Sequence, residues 1–223
     1  MKKKISILLL LCLIISSFSG IYAVERNILI EYDKPITYVD EHGQKVTIRD
    51  MSYEEYIVDL ANYKNISIEE AIMIDKTDEK ETLYINGINA EGDIIYRNVE
   101  IEKSLEENDD FSARLITRLK IWVLNSWRQI EDVIWQDIQQ VSGGGYNSSI
   151  ISEVCGTDPS AGSDDFPVIE INLSGACQFG VEWESSSGLG IEIPGFSYDY
   201  TVGNIWYYYS DTLYFNTDYR LYP

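Results

Sequence analysis

FSARLITRLKIWVLNSWRQIEDVIWQDIQQV, residues 111–141, fits two periods, and the one it obeys decides whether the chain is helical or mainly β. As a helix it lines up Ile116, Leu119, Val123, Trp127, Ile130, Ile134, Ile138 and Val141. As a strand it alternates Phe111, Ala113, Leu115, Leu119, Ile121, Val123 and Trp127 with Ser112, Arg114, Arg118, Lys120, Ser126 and Arg128, the two faces of a half-buried ribbon. The alternation predicts a strand over 112–124, its arginines facing solvent. Residues 127–140 suit either period.

Downstream the signal is clearer. In ACQFGVEWE (176–184), Cys177, Phe179, Val181 and Trp183 alternate with Gln178, Gly180, Glu182 and Glu184. SSSG (185–188) reads as a turn, and LGIEI (189–193) alternates again before Pro194 and Gly195 break it. FSYDYTV (196–202) places Phe196, Tyr198, Tyr200 and Val202 on one expected face. Gly203 and Asn204 then turn the chain into IWYYY (205–209) and TLYFNTDYRLY (212–222). Short alternating runs with turn signals every 8–12 residues are the mark of an antiparallel sandwich or barrel.

Upstream, NILIEY (27–32), ITYVD (36–40) and KVTI (45–48) read as strands around the turn EHGQ, which holds the single histidine, His42, as an exposed turn residue. Two capping boxes follow, Ser52 with Glu55 and Ser67 with Glu70. They predict a helical hairpin laid on a sheet, one stripe formed by Tyr53, Tyr56, Ile57 and Leu60 and the other by Ile68, Ala71 and Ile72. LYINGINAEGDIIYRNVEI (83–101) reads as a β-hairpin, and SLEENDD (104–110) as a solvated acidic loop. The expected fold is mainly β, an antiparallel sandwich or barrel-like body with a small helical hairpin near the amino end.

The first 23 residues, MKKKISILLLLCLIISSFSGIYA, have the basic, apolar and small-residue parts of a secretory signal peptide. The expected division is therefore a leader over 1–23, a region of β-hairpins and short helices over 24–110, and a sandwich-like domain over 111–223. Removing the leader takes the 17 basic residues to 14 against 37 acidic ones, and the net charge from −20 to −23. So acidic a chain is repelled by nucleic acid and by anionic bilayers. The leader also carries Cys12. The remaining pair, Cys155 and Cys177, reads outside the cell as one structural disulfide.

NSWRQIEDV (125–133), FPVIEINLSG (166–175), IPGFSYDYTVGNIWYYY (193–209) and YRLYP (219–223) resemble the carboxy-terminal part of a group of small secreted β-rich proteins of Gram-positive bacteria. The resemblance covers residues 111–223. It implies a β-rich domain ending in a glycine-punctuated, tyrosine-rich strand series, and it carries no activity with it.

Little in the chain suggests catalysis. A lone histidine leaves no multi-imidazole zinc site, and no thiol has a basic neighbour in sequence to activate it. Paired carboxylates could support an extracellular hydrolase, but Glu182 and Glu184 fall on the polar side of one strand. Asp158, Asp164 and Asp165 in GTDPSAGSDDF (156–166) could form a weak calcium site, although their spacing is not that of the twelve-residue calcium loop. Eleven of the last 28 residues are aromatic, and the run Trp206, Tyr207, Tyr208, Tyr209 must show rings on both faces of a strand. That run is the candidate binding face, suited to a cell-wall polymer or another protein. The expected role is a secreted, non-catalytic binding or surface-associated protein. A carboxylate-based hydrolase and a bacteriocin-like effector are the rivals.

Overall fold

In a computed structural model the chain is described over residues 34–82, 93–124, 127–159 and 166–221. The fold is mainly β, with two antiparallel sheets and two short helices. Sheet A runs in the order β1 (Ile36–Val39), β2 (Lys45–Met51), β3 (Asp93–Ser104), β4 (Phe111–Leu124) and β5 (Trp127–Gly143). Sheet B is built on β7 (Glu170–Glu184), with β6 (Asn147–Pro159) along one edge. Its other edge is shared end to end by β10 (Leu213–Arg220) and by the hairpin of β8 (Phe196–Val202) and β9 (Ile205–Ser210). Where β7 passes from β9 to β10, the Ser210 hydroxyl accepts from the Phe179 amide at 3.0 Å and Gln178 donates to the Ser210 carbonyl at 2.6 Å, so side chains bridge the gap between the two ladders.

The chain changes sheets once between β5 and β6, at Gly144 and Gly145, both in the left-handed region (φ 62° and 75°) that side chains with a Cβ avoid. Between the sheets lie Phe111, Ala113, Leu115, Leu119, Ile121 and Ile138 from one side. Ile171, Leu173, Cys177, Phe179, Val181 and Phe215 face them from the other. Each large side chain in such a core contributes roughly 1.5–3 kcal/mol by leaving water. Gly175 lets the sheets close: a Cβ there would come within 3.1 Å of Ile138 and 3.4 Å of Leu115. At one margin the layers join directly, Ile130 and Val168 exchanging main-chain bonds of 2.7 and 3.0 Å.

The described residues within 111–141 are all strand, in β4 and β5. The even face of β4 is not the solvated face expected for it, because the helical hairpin and neighbouring strands cover it. Helix α1 (Tyr53–Lys64) and helix α2 (Ile68–Thr82) start at the two expected capping boxes. In both, the serine hydroxyl accepts from the glutamate amide at 3.2 Å and the glutamate accepts from the serine amide at 3.0 Å. Tyr56, Ile57, Leu60, Ala61, Ala71 and Tyr96 form a second core between helices and sheet, whereas Tyr53 and Ile68 stay partly exposed.

Arg118, expected in solvent, is buried here. It donates to Asp59 of α1 at 2.6 Å, bonds Asn98, and lies 4.7 Å from the Trp135 ring centroid, on which Tyr63 of α1 stacks. Arg114 is met by Glu100 at 2.9 Å and Glu102 at 3.4 Å.

Other expectations need correction. LGIEI is not a strand but part of the loop over 185–195, with Leu189 exposed and Ile193 buried. Strand β6, Asn147–Pro159, is not anticipated by the sequence reading, and it takes in residues on both sides of Cys155. Of the hairpin expected over 83–101, the second arm is β3; the first lies outside the described residues, as do the leader and NILIEY.

Candidate binding face on the open side of sheet B

The two outer faces of the sandwich differ. Sheet A carries the helical hairpin, and sheet B carries no element on its outer side among the described residues. That open face is built from alternate residues of five strands. They are Tyr200 on β8, Tyr207 and Tyr209 on β9, the even positions of β7, Tyr214 and its alternates on β10, and Ser149 and Val154 on β6.

A bulge decides which tyrosines point outward. Tyr198 pairs with Tyr208 and Tyr200 with Tyr207, so Asp199 is the extra residue on β8. The bulge turns Tyr200 to the face opposite Tyr198, correcting the expectation that Phe196, Tyr198, Tyr200 and Val202 share one side. Tyr198 then reaches Trp206, with ring centroids 5.2 Å apart, and its hydroxyl lies 3.1 Å from that of Thr201. Tyr200 stacks on Tyr207 with centroids 4.5 Å apart and planes 16° from parallel.

The predicted quartet therefore splits. Trp206 and Tyr208 belong to the inner side, where the Tyr208 hydroxyl accepts from the Ile191 amide at 2.9 Å. Gly190 lies so close beneath Trp206 that a Cβ would be 2.8 Å from its ring. Tyr207 and Tyr209 belong to the open face, with Tyr209 hydrogen-bonded to Tyr200. Gly180, opposite Tyr209 in register, makes room for Ile151, which a Cβ would strike at 2.6 Å. Tyr214 and Val154 extend the surface, 65% and 66% exposed.

Carboxylates edge this cluster. Glu182 lies opposite Tyr207 in register and Glu184 opposite Ile205. Each is oriented by one amide, Asn147 donating to Glu182 at 3.0 Å and Asn204 to Glu184 at 2.8 Å. Local burial and the Glu182 charge push the Tyr207 phenol above its ordinary range; the hydrogen bond to Tyr200, with burial, does so for Tyr209. The phenols stay neutral at physiological pH, as donors and acceptors on rigid rings.

Cys155 and Cys177 are both free thiols, which corrects the expected disulfide. Cys155 is opposite Gly175, and Cys177 is opposite Glu153, so the cysteines are diagonal neighbours on adjacent strands. Diagonal Cα atoms are about 7–8 Å apart, beyond the usual reach of a disulfide. Burial and Glu153 push the Cys177 thiol up to about 11, and burial, Glu153 and Asp137 raise Cys155, so neither is an activated nucleophile.

His42 is a turn residue, as expected, its amide donating to Asp40 at 3.0 Å. It lines a groove of about 340 Å³ with Tyr38, Asp40, Glu41, Asn216 and Asp218. Asp158 is exposed on the open face opposite Asn172; Asp164 and Asp165 lie outside the described residues. Among the described residues no cluster of three metal-ligating side chains occurs, and no helix is long and apolar enough to cross a membrane.

Buried polar groups that sequence reading missed are joints of the fold. Asp75, 2% exposed, accepts from Tyr56 at 3.1 Å and Tyr96 at 3.2 Å, whose rings stack at 3.8 Å. Arg97 grips Asp50 with two bonds of 2.5 and 3.0 Å and donates to Tyr219 at 2.8 Å, tying sheet A to β10. No family model matches the chain, and neither the curated proteins nor the solved structures contain a match.

Proposed function

We propose that this chain is a secreted, non-catalytic binding protein of a Gram-positive bacterium, and that it holds a cell-wall glycan on the open face of sheet B. The observation that carries this reading is the asymmetry of the sandwich. One outer face is closed by a helical hairpin, and the other displays Tyr200 stacked on Tyr207 beside Tyr209, with Tyr214 further along on β10. Rigid phenols offer apolar ring surface together with hydroxyls that donate and accept, which suits the mixed apolar and polar surface of a sugar chain. The leader-like start over 1–23 and the resemblance over 111–223 support the extracellular setting.

Co-sedimentation of residues 24–223 with purified peptidoglycan tests the reading. Retention above that of an equally acidic control protein is the expected result, and retention no greater than the control's contradicts it.

A further inference from the structure

Resting on that reading, we infer that the glycan taken by the open face carries free primary amines, as a de-N-acetylated hexosamine polymer does. The argument is charge complementarity. The open face presents Asp158, Glu182, Glu184 and Asp218, and the bulge adds Asp199 at its margin. The strands of sheet B contain one basic residue, Arg220, already held by Glu170 at 2.8 Å. Lys103 arrives from β3 and reaches the main-chain oxygen of Tyr214, 3.1 Å away.

Glu182 and Glu184 are the carboxylates beside the phenol cluster. Alternate positions on one strand lie roughly 7 Å apart. The amides of Asn147 and Asn204 each engage one carboxylate oxygen, Oε2 of Glu182 and Oε1 of Glu184, and this fixes the carboxylates while leaving acceptor capacity toward solvent. An ammonium group laid against them gains charge-assisted hydrogen bonds. An N-acetylated or neutral sugar in the same place offers only neutral N–H and O–H donors, which compensate the desolvated carboxylates less well than an ammonium, and a polyanion would be repelled. The phenols supply the contact with the ring, and the carboxylates select the substituent.

Titration calorimetry of residues 24–223 with hexaglucosamine, hexa-N-acetylglucosamine and hexalysine tests this. Two variants are compared: Glu182→Gln/Glu184→Gln, and Glu54→Gln/Glu69→Gln, which removes the same charge from exposed helix positions. We expect hexaglucosamine to bind at least about tenfold more tightly than its acetylated form. Glu182→Gln/Glu184→Gln should erase that preference, and the helix variant should keep it.

Equal or tighter binding of hexa-N-acetylglucosamine overturns the inference while leaving the glycan reading intact. Binding of neither sugar overturns both. Hexalysine bound as tightly, with the same dependence on Glu182 and Glu184, assigns the face to a cationic peptide and overturns the inference.

Discussion

Arg118 on β4 and Asp59 on α1 meet across the sheet–helix interface, Nε 2.6 Å from Oδ2, and with Asp75–Tyr96 and Tyr63–Trp135 this pair fastens the hairpin over the second core. Removing the acid leaves a buried guanidinium over the Trp135 ring with Asn98 as its remaining hydrogen-bond partner. Asp59→Ala should therefore cost about 2–3 kcal/mol in urea unfolding. An Arg118→Met/Asp59→Leu double variant should recover most of that loss, because neither charge is then left buried alone. Similar destabilisation in both proteins would contradict the assignment.

Asp40 joins the β1–β2 turn to β10 and answers to pH. Burial alone would raise its carboxyl, but donors from Thr217 (2.7 Å), Gln44 (2.7 and 2.8 Å) and the His42 amide outweigh it, holding the folded value below the ordinary 3.8. Its contribution to stability is therefore fully present above that ordinary value, and it is lost as pH falls through the lower folded one. Asp40→Asn should cost about 1–2 kcal/mol at pH 7 and flatten the fall in stability below pH 4, read from urea midpoints at both pH values.

Glu131 has the opposite sign. Burial first, with Asp132, raises it above the ordinary 4.5, and Lys120 opposes the rise only in part. Its ionised form is disfavoured in the fold, so the penalty is complete above the raised value and absent below 4.5. Glu131→Gln should raise the melting temperature at pH 7 by an amount corresponding to less than about 1 kcal/mol. That gain should disappear near pH 3; an equal gain at both pH values would point to packing instead.

The two thiols give a direct chemical check. Residues 24–223, purified without reductant and denatured, should titrate as two free thiols. In the native state Cys155, half-buried, should react before Cys177, which is 1% exposed and raised to about 11. Absence of free thiol would restore the disulfide and require strand β6 to shift against β7.

Much of this architecture can be read from residues alone, and the exceptions have physical causes. The capping boxes at Ser52 and Ser67 are local and specify their helices without help. The even face of β4 misleads because its arginines are neutralised by acids far away in sequence, Asp59 and Glu100 among them. Strand β5 resembles a helix because its pairing with β4 skips Glu131, Ile134 and Val141. The three bulges break the period of two, so Ile130, Val133 and Ile138 point into the core between the sheets while Ile134 packs toward the helices and Val141 is exposed, and the helical spacing of Ile130, Ile134, Ile138 and Val141 does not mark one face. The same device at Asp199 divides the aromatic run between two faces. Composition identified the aromatic residues, but only register shows that Tyr200, Tyr207 and Tyr209 gather on one side while Trp206 and Tyr208 face inward. Strand β6 was hidden because it is an edge strand rich in serine, with Ile151 and Val154 outward.

The central claim is that the open face of sheet B, through its phenols, is where the chain holds its ligand. The most direct measurement is the affinity of residues 24–223 for soluble peptidoglycan fragments, compared between the unaltered chain, Tyr200→Ser/Tyr207→Ser, and Tyr53→Ser/Tyr63→Ser on the hairpin side. Melting curves would confirm that each variant is folded. The account predicts a loss of at least about tenfold for the first variant and a change within about twofold for the second. Equal affinity in all three proteins would contradict it.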